Sequence, residues 1–281
     1  MDNTTHLDFS DLSQIKTFRK HIYSYFKTYG RKLPWRVDYN PYHIYVSEVM
    51  LQQTRVDKVG QKFPEFISRF PDFQTLAKSS MEEVYSEWQG LGYNRRAAAL
   101  RNAAKLIVSE YQGILPDTPE ELVKLPGIGS ATAASITAFA FNKPVLFLET
   151  NIRTVFIHHF FPNHQSVSDS LILPVAQQAI DKVNPREWYS ALMDYGTMIK
   201  KEFGNLTRKS STYKKQTPFI GSKRQIRGSV IKLLLEHGEL SANVIEKLSG
   251  YEQPILYEIL NQLANENIVR ESSDKCYIIA E

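Results

Sequence analysis

The sequence predicts a mainly helical chain, an all-α body followed by a small winged-helix-like tail. Three observations carry this. Apolar residues recur at helical spacing in one segment after another between residues 11 and 199. A hairpin punctuated by Pro and Gly, Leu125-Pro126-Gly127-Ile128-Gly129, opens directly on an Ala-rich helical run. From about Phe219 short amphipathic segments lead into Ile268-Val269-Arg270 and Tyr277-Ile278-Ile279, two runs able to pair as a wing. With 281 residues, 42% of them apolar and 23% charged, the chain can bury a sizeable core. No apolar run is long enough to span a bilayer, and the first residues do not read as a secretory signal. The single cysteine, Cys276, excludes a disulfide or a multi-cysteine metal site within one chain, which suits a reducing, cytoplasmic setting.

Residues 11–29 place Leu12, Ile15, Phe18, Ile22 and Phe26 on one helical face, with Gly30 just past the end. The turn at 31–36 carries Trp35, which fits either half-buried packing or a platform for a base, and Arg36, suited to phosphate or base recognition. A helix over 42–54 surrounds Glu48 with Val46, Val49, Met50 and Leu51. Partial burial of that kind raises a carboxyl pKa and lets the group serve as a general acid. Gln52-Gln53-Thr54 closes the helix as a cap or as polar groups reaching into a groove. Helices at 59–70 and 81–89 flank a break at Phe70-Pro71-Asp72. Gly90 to Arg96 is a turn with Tyr93 beside Arg95 and Arg96, a combination suited to stacking on a base and holding phosphate, or to a helix start with a packed Tyr. Helices at 97–111 and 119–123 follow, the second with Pro119 in its first turn.

In the hairpin, Pro126 stops the preceding helix, while Gly127 and Gly129 permit a tight turn and close backbone approach. Ser130 or Gly129 then caps a helix through Thr132 and Phe139, whose first-turn N–H groups favour an anion such as phosphate. Beyond the buried run 145–148, Glu149-Thr150-Asn151 precedes a helix at 152–160. This reads either as capping by Thr150 or Asn151 with Glu149 complementing the dipole, or as a carboxylate placed for chemistry. His158 and His159 are adjacent and lack the spacing of a metal pair. Helices at 168–183 and 185–199 follow, the latter holding Asp194 in an apolar setting. Between Lys200 and Arg227 nine cations (Lys200, Lys201, Arg208, Lys209, Lys214, Lys215, Lys223, Arg224, Arg227) face one acid, Glu202, enough to exceed the net charge of +4. The stretch is a solvated linker or a strand lying along a polyphosphate.

Five segments, in order, resemble the helix-hairpin-helix DNA glycosylase superfamily, and within it the MutY-type adenine DNA glycosylases. They are Leu33-Pro34-Trp35-Arg36, Ser47 to Thr54, Gly90-Leu91-Gly92-Tyr93, Leu125 to Gly129, and Ala191 to Gly196. The resemblance implies an all-helical, two-lobed fold over 1–199 with the active site between the lobes, a basic linker at 200–224 and a winged-helix-like domain at 225–281. It implies double-stranded DNA as partner, a flipped-out base, and a monomeric protein. Leu125, Gly127, Gly129 and Thr132 would hold a phosphate, with a monovalent cation at the hairpin. Gln53 falls at the wedge into the emptied stack and Tyr93 at the intercalating position. Glu48 falls at the acid that protonates adenine, Trp35, Arg36 and Asp194 at the base pocket, Glu149 at the carboxylate that stabilises the sugar cation, and Asn151 beside it.

The chain departs from its relatives in four respects. Glu149 stands where the family has Asp. Ala131 stands at the Schiff-base lysine of bifunctional members, so base removal without a lyase step is expected. The four-cysteine iron–sulfur motif expected after Met198 is replaced by Lys200 and the basic stretch, so no iron–sulfur cofactor is expected. The small tail stands where standard members carry a domain that senses 8-oxoguanine. The expected function is a monofunctional glycosylase removing adenine opposite guanine or 8-oxoguanine. The alternatives are a mismatch glycosylase for thymine, uracil or another modified base, and a DNA-binding homologue without catalysis.

Overall fold

A computed structural model describes residues 12–213, 215 and 218–281. Asp11 and Lys214 of the segments named above lie outside the described residues. In chain order the described helices are α1 (Leu12–Tyr29), α2 (Pro41–Leu51), α3 (Val56–Arg69), α4 (Phe73–Lys78), α5 (Met81–Trp88), α6 (Arg95–Glu110), α7 (Pro119–Leu122), α8 (Ser130–Phe141), α9 (Thr150–Phe160), α10 (Asp169–Ala179), α11 (Pro185–Glu202), α12 (Lys223–His237), α13 (Ala242–Ser249) and α14 (Gln253–Asn265). Three short strands, β1 (Leu240–Ser241), β2 (Val269–Glu271) and β3 (Cys276–Ile279), complete the tail. None of these helices is long and apolar enough to cross a membrane.

Contacts divide the chain into two compact units, neither continuous in sequence. One runs up to Leu33 and resumes at 130–215; the other takes 34–129 and the tail after residue 215. In the first, α11 packs on α9, α8 and α1. Ile15, Phe18 and Ile22 bury the face of α1 that the sequence pattern marks. α8 is apolar all round and buried from Ala133 to Ala140, as a central helix must be. Its last carbonyls are satisfied by Arg186, whose Nε donates to Phe139 O at 2.6 Å and Nη2 to Ala140 O at 2.8 Å. Residues 143–149 form no helix or strand, and Tyr189 Oη ties them down by donating to Val145 O at 2.7 Å.

In the second unit α2 is likewise buried on most sides, from Tyr42 to Met50. Asn40 caps it and Tyr42 Oη donates to Phe70 O at 2.6 Å. α4 is an element the sequence pattern does not show. Its six residues are too few for a periodicity, and its signal is local: Asp72 accepts from Thr75 N at 2.7 Å as an N-cap. Ser80 and Glu83 form a reciprocal capping box on α5. The tail has one strand more than the expected two-stranded wing: Leu240–Ser241 pairs antiparallel with β3, giving the order β1-β3-β2. Arg101 holds the C-terminal Glu281 at 3.0 Å, and Glu266 pairs with both Arg95 and Arg227.

The stretch expected as a linker is largely structured. α11 runs on to Glu202, and a 3-10 turn at Leu206–Lys209 follows, with Thr207 and Ser210 buried. Val167 N donates to Lys209 O at 2.8 Å and Ser211 N to Val167 O at 3.1 Å. Lys209 Nζ donates to Pro162 O, Lys223 pairs with Glu258, and Arg227 with Glu266. Three of the nine cations are thus tied within their own units, while Lys200, Lys201 and Arg208 are exposed.

Candidate active site and nucleic-acid interface

The carboxylate at 149 is fixed by the helix it starts. Glu149 has extended backbone as the N-cap of α9, and its Oε1 accepts from Asn151 N at 2.6 Å and Ile152 N at 3.1 Å. Glu149 itself is therefore the cap, where the sequence offered Thr150 or Asn151 for that role. The longer side chain curls back onto its own first turn, as Asp does elsewhere. Burial pushes the Glu149 carboxyl above its ordinary value, against the pull of the backbone N–H groups and of Arg153. Arg153 is held away by a bidentate pair with Asp169, 2.7 Å on each side. Asn151 is half-buried, and its Nδ2 contacts Met193 Sδ at 4.0 Å. A Cβ on Gly196 would stand 2.3 Å from Asn151 O, so only glycine lets α11 pass this turn. Gly196 is a positioning residue that the sequence presented only as part of a motif.

Asp194, expected in a base pocket, is 3% exposed and accepts from Arg31 N at 2.7 Å and Arg31 Nε at 2.8 Å. It anchors the chain leaving α1. Trp35, also expected there, is 4% exposed with its ring edge-on to Phe63, 5.6 Å between centroids. Of its two readings the structure takes packing, because a face so covered cannot receive a base. Arg36 is half-buried at the end of the 3-10 turn Pro34–Arg36. Glu48 is half-buried on α2 between the buried Val46, Ser47, Val49 and Met50.

Gln53 and Tyr93 lie on two loops of this same unit, and one residue fixes both loops. Arg96 is buried, and its Nη1 donates to the carbonyls of Val49 (3.0 Å), Met50 (2.7 Å) and Gln52 (2.7 Å). Its Nη2 donates to Thr54 Oγ1 (2.9 Å), Leu91 O (3.2 Å) and Gly92 O (2.9 Å). The guanidinium also lies over the rings of Trp88 and Tyr93, at 5.3 and 5.5 Å. Burial lowers its pKa to about 10, which leaves it charged at neutral pH. Arg96 thus faces inward, whereas the sequence had offered it to phosphate; nothing in Arg95-Arg96 signals which of the pair turns in. Gln53 (φ +55°) and Tyr93 (φ +51°) both adopt left-handed backbone. Holding a non-glycine residue there costs about 1 kcal/mol or more each, which the shared arginine offsets. Gln53 is exposed and Tyr93 half-exposed.

The hairpin is anchored by its apolar residues. Leu125 and Ile128 are buried, while Gly127, Gly129, Ser130 and Ala131 are exposed. Leu125 was expected to contact DNA; its side chain is inside and its N–H donates to Leu122 O at 3.1 Å, so it supports the turn. Gly127 has φ +78° and a Cβ there would meet Ala99 Cβ at 2.7 Å. Gly129 opens on empty space. Thr132 is half-buried in the first turn of α8. Leu125 O accepts from Ile128 N and Gly127 O from Gln52 Nε2, each at 3.2 Å. Each carbonyl keeps a second lone pair suited to a monovalent cation. Among the described residues no group of three His, Cys, Asp or Glu is placed to hold a metal.

Residues 46–171 match the HhH-GPD superfamily of base excision DNA repair proteins, a span that includes Glu48, Gln53, Tyr93, the hairpin, Glu149 and Asn151. Over that span the chain is similar to this superfamily. It is similar to the adenine DNA glycosylase of Buchnera aphidicola subsp. Baizongia pistaciae, 36% identical over 187 residues that cover 65% of this chain and 52% of that protein. The adenine DNA glycosylase of Rattus norvegicus is 34% identical over 204 residues, 68% of this chain and 39% of the relative. The chain spans about half, or less, of the length of these curated relatives. Two solved structures share the fold. A thermostable thymine-DNA glycosylase aligns with TM-score 0.59 at 24% identity, covering 66% of this chain and 87% of that one. Endonuclease III, trapped as a covalent intermediate with DNA, aligns with TM-score 0.53 at 20% identity, covering 66% and 84%.

Proposed function

We propose that the chain is a monofunctional DNA N-glycosylase that removes a mispaired adenine from duplex DNA. The observation that carries this reading is the carboxylate of Glu149, set on the N-terminal turn of α9 with Asn151 packed beneath Gly196. Glu48 donates a proton to a ring nitrogen of the extrahelical adenine. The bond from C1′ to the base then breaks, its electron pair leaves with the base, and the sugar becomes cationic. The Glu149 carboxylate stabilises that cation. Water adds to C1′ and yields its proton to Glu149, giving free adenine and an abasic site. Asn151 orients the carboxylate. Ala131, exposed on the first turn of α8, offers no amine, so no imine forms and the strand stays intact. Gln53 and Tyr93 enter the stack, and the exposed hairpin glycines admit a phosphate. A monovalent cation, where bound, would be held by hairpin carbonyls and would add positive charge beside that phosphate.

The test is release of free base, read by mass, from duplexes carrying A opposite 8-oxoguanine, G and C, and T or U opposite G. Adenine from the first two is expected. Release of thymine or uracil alone would overturn the substrate assignment. Glu48→Gln and Glu149→Gln are each expected to lower single-turnover release about 100- to 1,000-fold while binding persists. Undiminished release by Glu48→Gln removes its role as the acid. Glu149 must be ionised and Glu48 protonated, so the rate passes through a maximum with pH, and its acid limb lies above the ordinary carboxylate range because burial raises Glu149.

A further inference from the structure

The tail has the three helices and wing of a DNA reader, but its third helix is not equipped to be one. α14 contains no Lys or Arg, and Glu252, Glu258 and Glu266 lie on or beside it. A helix that lies in a groove holds the flanking phosphates chiefly with Lys and Arg, and α14 supplies none. Four of the tail's cations, Lys223, Arg224, Arg227 and Lys232, lie on α12, and Lys247, Arg270 and Lys275 lie elsewhere in the tail. Three of them meet carboxylates of the tail: Lys223 with Glu258, Arg227 with Glu266, and Lys232 with Glu236 at 3.5 Å. Arg224 is directed elsewhere. Its Nη1 donates to Tyr93 Oη at 2.7 Å, and its guanidinium lies 5.6 Å from the centre of the Tyr93 ring. The tail therefore delivers a guanidinium to the one aromatic of the 90–94 turn, a half-buried tyrosine in left-handed backbone.

We propose that Arg224 is a specificity residue for the base that stays in the stack opposite the excised one, and that this base is guanine. The inference rests on the glycosylase reading. The excised base is the one the acids act on, outside the stack. A ring that stacks, such as Tyr93, meets bases still inside it. The guanidinium bonded to the Tyr93 hydroxyl is then within reach of the edge of an in-stack base. Its rigid fork of donors matches two adjacent acceptors, and guanine presents such a pair at O6 and N7. Cytosine offers an amino donor on that edge instead. In 8-oxoguanine N7 carries a hydrogen, so the second acceptor is lost. Arg224 thus favours unmodified guanine opposite the target.

The test compares wild type, Arg224→Ala, Arg224→Lys and Tyr93→Phe in two assays. One is single-turnover adenine release with G, 8-oxoguanine or C opposite. The other is equilibrium binding to duplexes with an uncleavable abasic analogue opposite G or C. Arg224→Ala is expected to lower release opposite G about tenfold while changing the other two less than about twofold, and to erase the same factor in binding. Arg224→Lys keeps the charge but not the fork, and loses the discrimination as well. Tyr93→Phe keeps the ring, removes the hydroxyl that places Arg224, and moves in the same direction by less. An equal loss opposite every base, with a shallower salt dependence, would place Arg224 on a phosphate and overturn the proposal. Undiminished discrimination in a folded Arg224→Ala or Arg224→Lys variant overturns it too. If wild type releases no base, the glycosylase reading fails, and the binding comparison still decides on Arg224.

Discussion

The turn at 149–152 and the loops at 52–54 and 90–93 hold the side chains proposed for catalysis and for intercalation by opposite means. At the first, a helix supplies backbone N–H groups to a carboxylate, and a missing side chain at Gly196 supplies the room. At the second, one buried cation gathers carbonyls from two loops and holds two non-glycine residues in left-handed backbone. The carboxylate needs a fixed place and a partly desolvated charge, which a helix N-terminus provides without strain. Gln53 and Tyr93, proposed to enter the stack, sit in tight turns with left-handed backbone, and that conformation persists only while something else stabilises it.

The largest way to break this comparison is at Arg96. Replacing it by Met preserves bulk but takes one donor from five carbonyls and the Thr54 hydroxyl; Gly92 O keeps Trp88 Nε1, Val49 O keeps Gln52 N, and Gln52 O and Leu91 O share Thr54 Oγ1. The expected loss is about 3–5 kcal/mol in urea unfolding, from the lost charge-assisted bonds and from buried carbonyls left unsatisfied at about 1–3 kcal/mol each. Duplex binding should fall with it. Arg96→Lys should recover little, since an ammonium cannot reach both loops with a planar fork. A variant of near-wild-type stability would show that the loops hold their own conformation.

The next effect is smaller and lies at the carboxylate turn. Gly196→Ala puts a Cβ 2.3 Å from Asn151 O and 2.9 Å from Asn151 Cβ, and backbone must move to relieve it. Overpacking of this kind costs about 1–3 kcal/mol. If the turn shifts with it, adenine release should fall about tenfold or more, beyond what the stability change explains. Gly60→Ala is the control: nothing lies within 4 Å of a Cβ there, inside α3, and a helix interior favours Ala by about 1 kcal/mol. Stability loss with unchanged release in Gly196→Ala would separate packing of α11 from placement of Glu149.

Much of this was legible in the residues, and what was not has definite causes. The long helices and the buried character of α2 and α8 follow from apolar spacing, and Gly127 follows from its turn. Trp35, Arg96 and Asp194 illustrate the limit. Each is a residue type that binds ligands when exposed and packs or ties loops when buried, and sequence spacing does not report which. Glu149 was ambiguous between cap and reacting carboxylate because one geometry serves both. Arg224 was visible only as one cation among nine. Its meaning depends on the tail folding onto the same unit as Tyr93, a contact between residues 131 positions apart.

The smallest predicted effect is a pH dependence that separates two half-buried groups of opposite sign. His159 is stacked on Tyr195 and edge-on to Phe18, and both His159 and His21 bond the Tyr195 hydroxyl, at 3.3 and 2.8 Å. Burial first, then the neighbouring His158 and His21, lowers the His159 pKa to about 4, and burial also lowers that of His158. An unfolded histidine titrates near 6.5. As pH falls from there towards 4, the unfolded chain takes up the proton and the folded chain does not, so stability falls; above that window the histidines contribute no slope. Glu149 works the other way. Its carboxyl is raised by burial, so the folded chain binds the proton first and stability rises as pH falls through that pKa. In wild type the two partly cancel. In Glu149→Gln the opposing carboxyl is gone, and the decline in Tm on acidification should steepen. In His159→Phe, which keeps the aromatic packing against Phe18, the decline should flatten or reverse. The carboxyls held below their ordinary value, Asp38, Glu83, Glu121, Asp169, Asp181 and Glu266, lose their contribution from the acid end of this window downward, and do so alike in wild type and both variants. Parallel Tm-against-pH curves in wild type and both variants would show that neither group is buried as the structure places it.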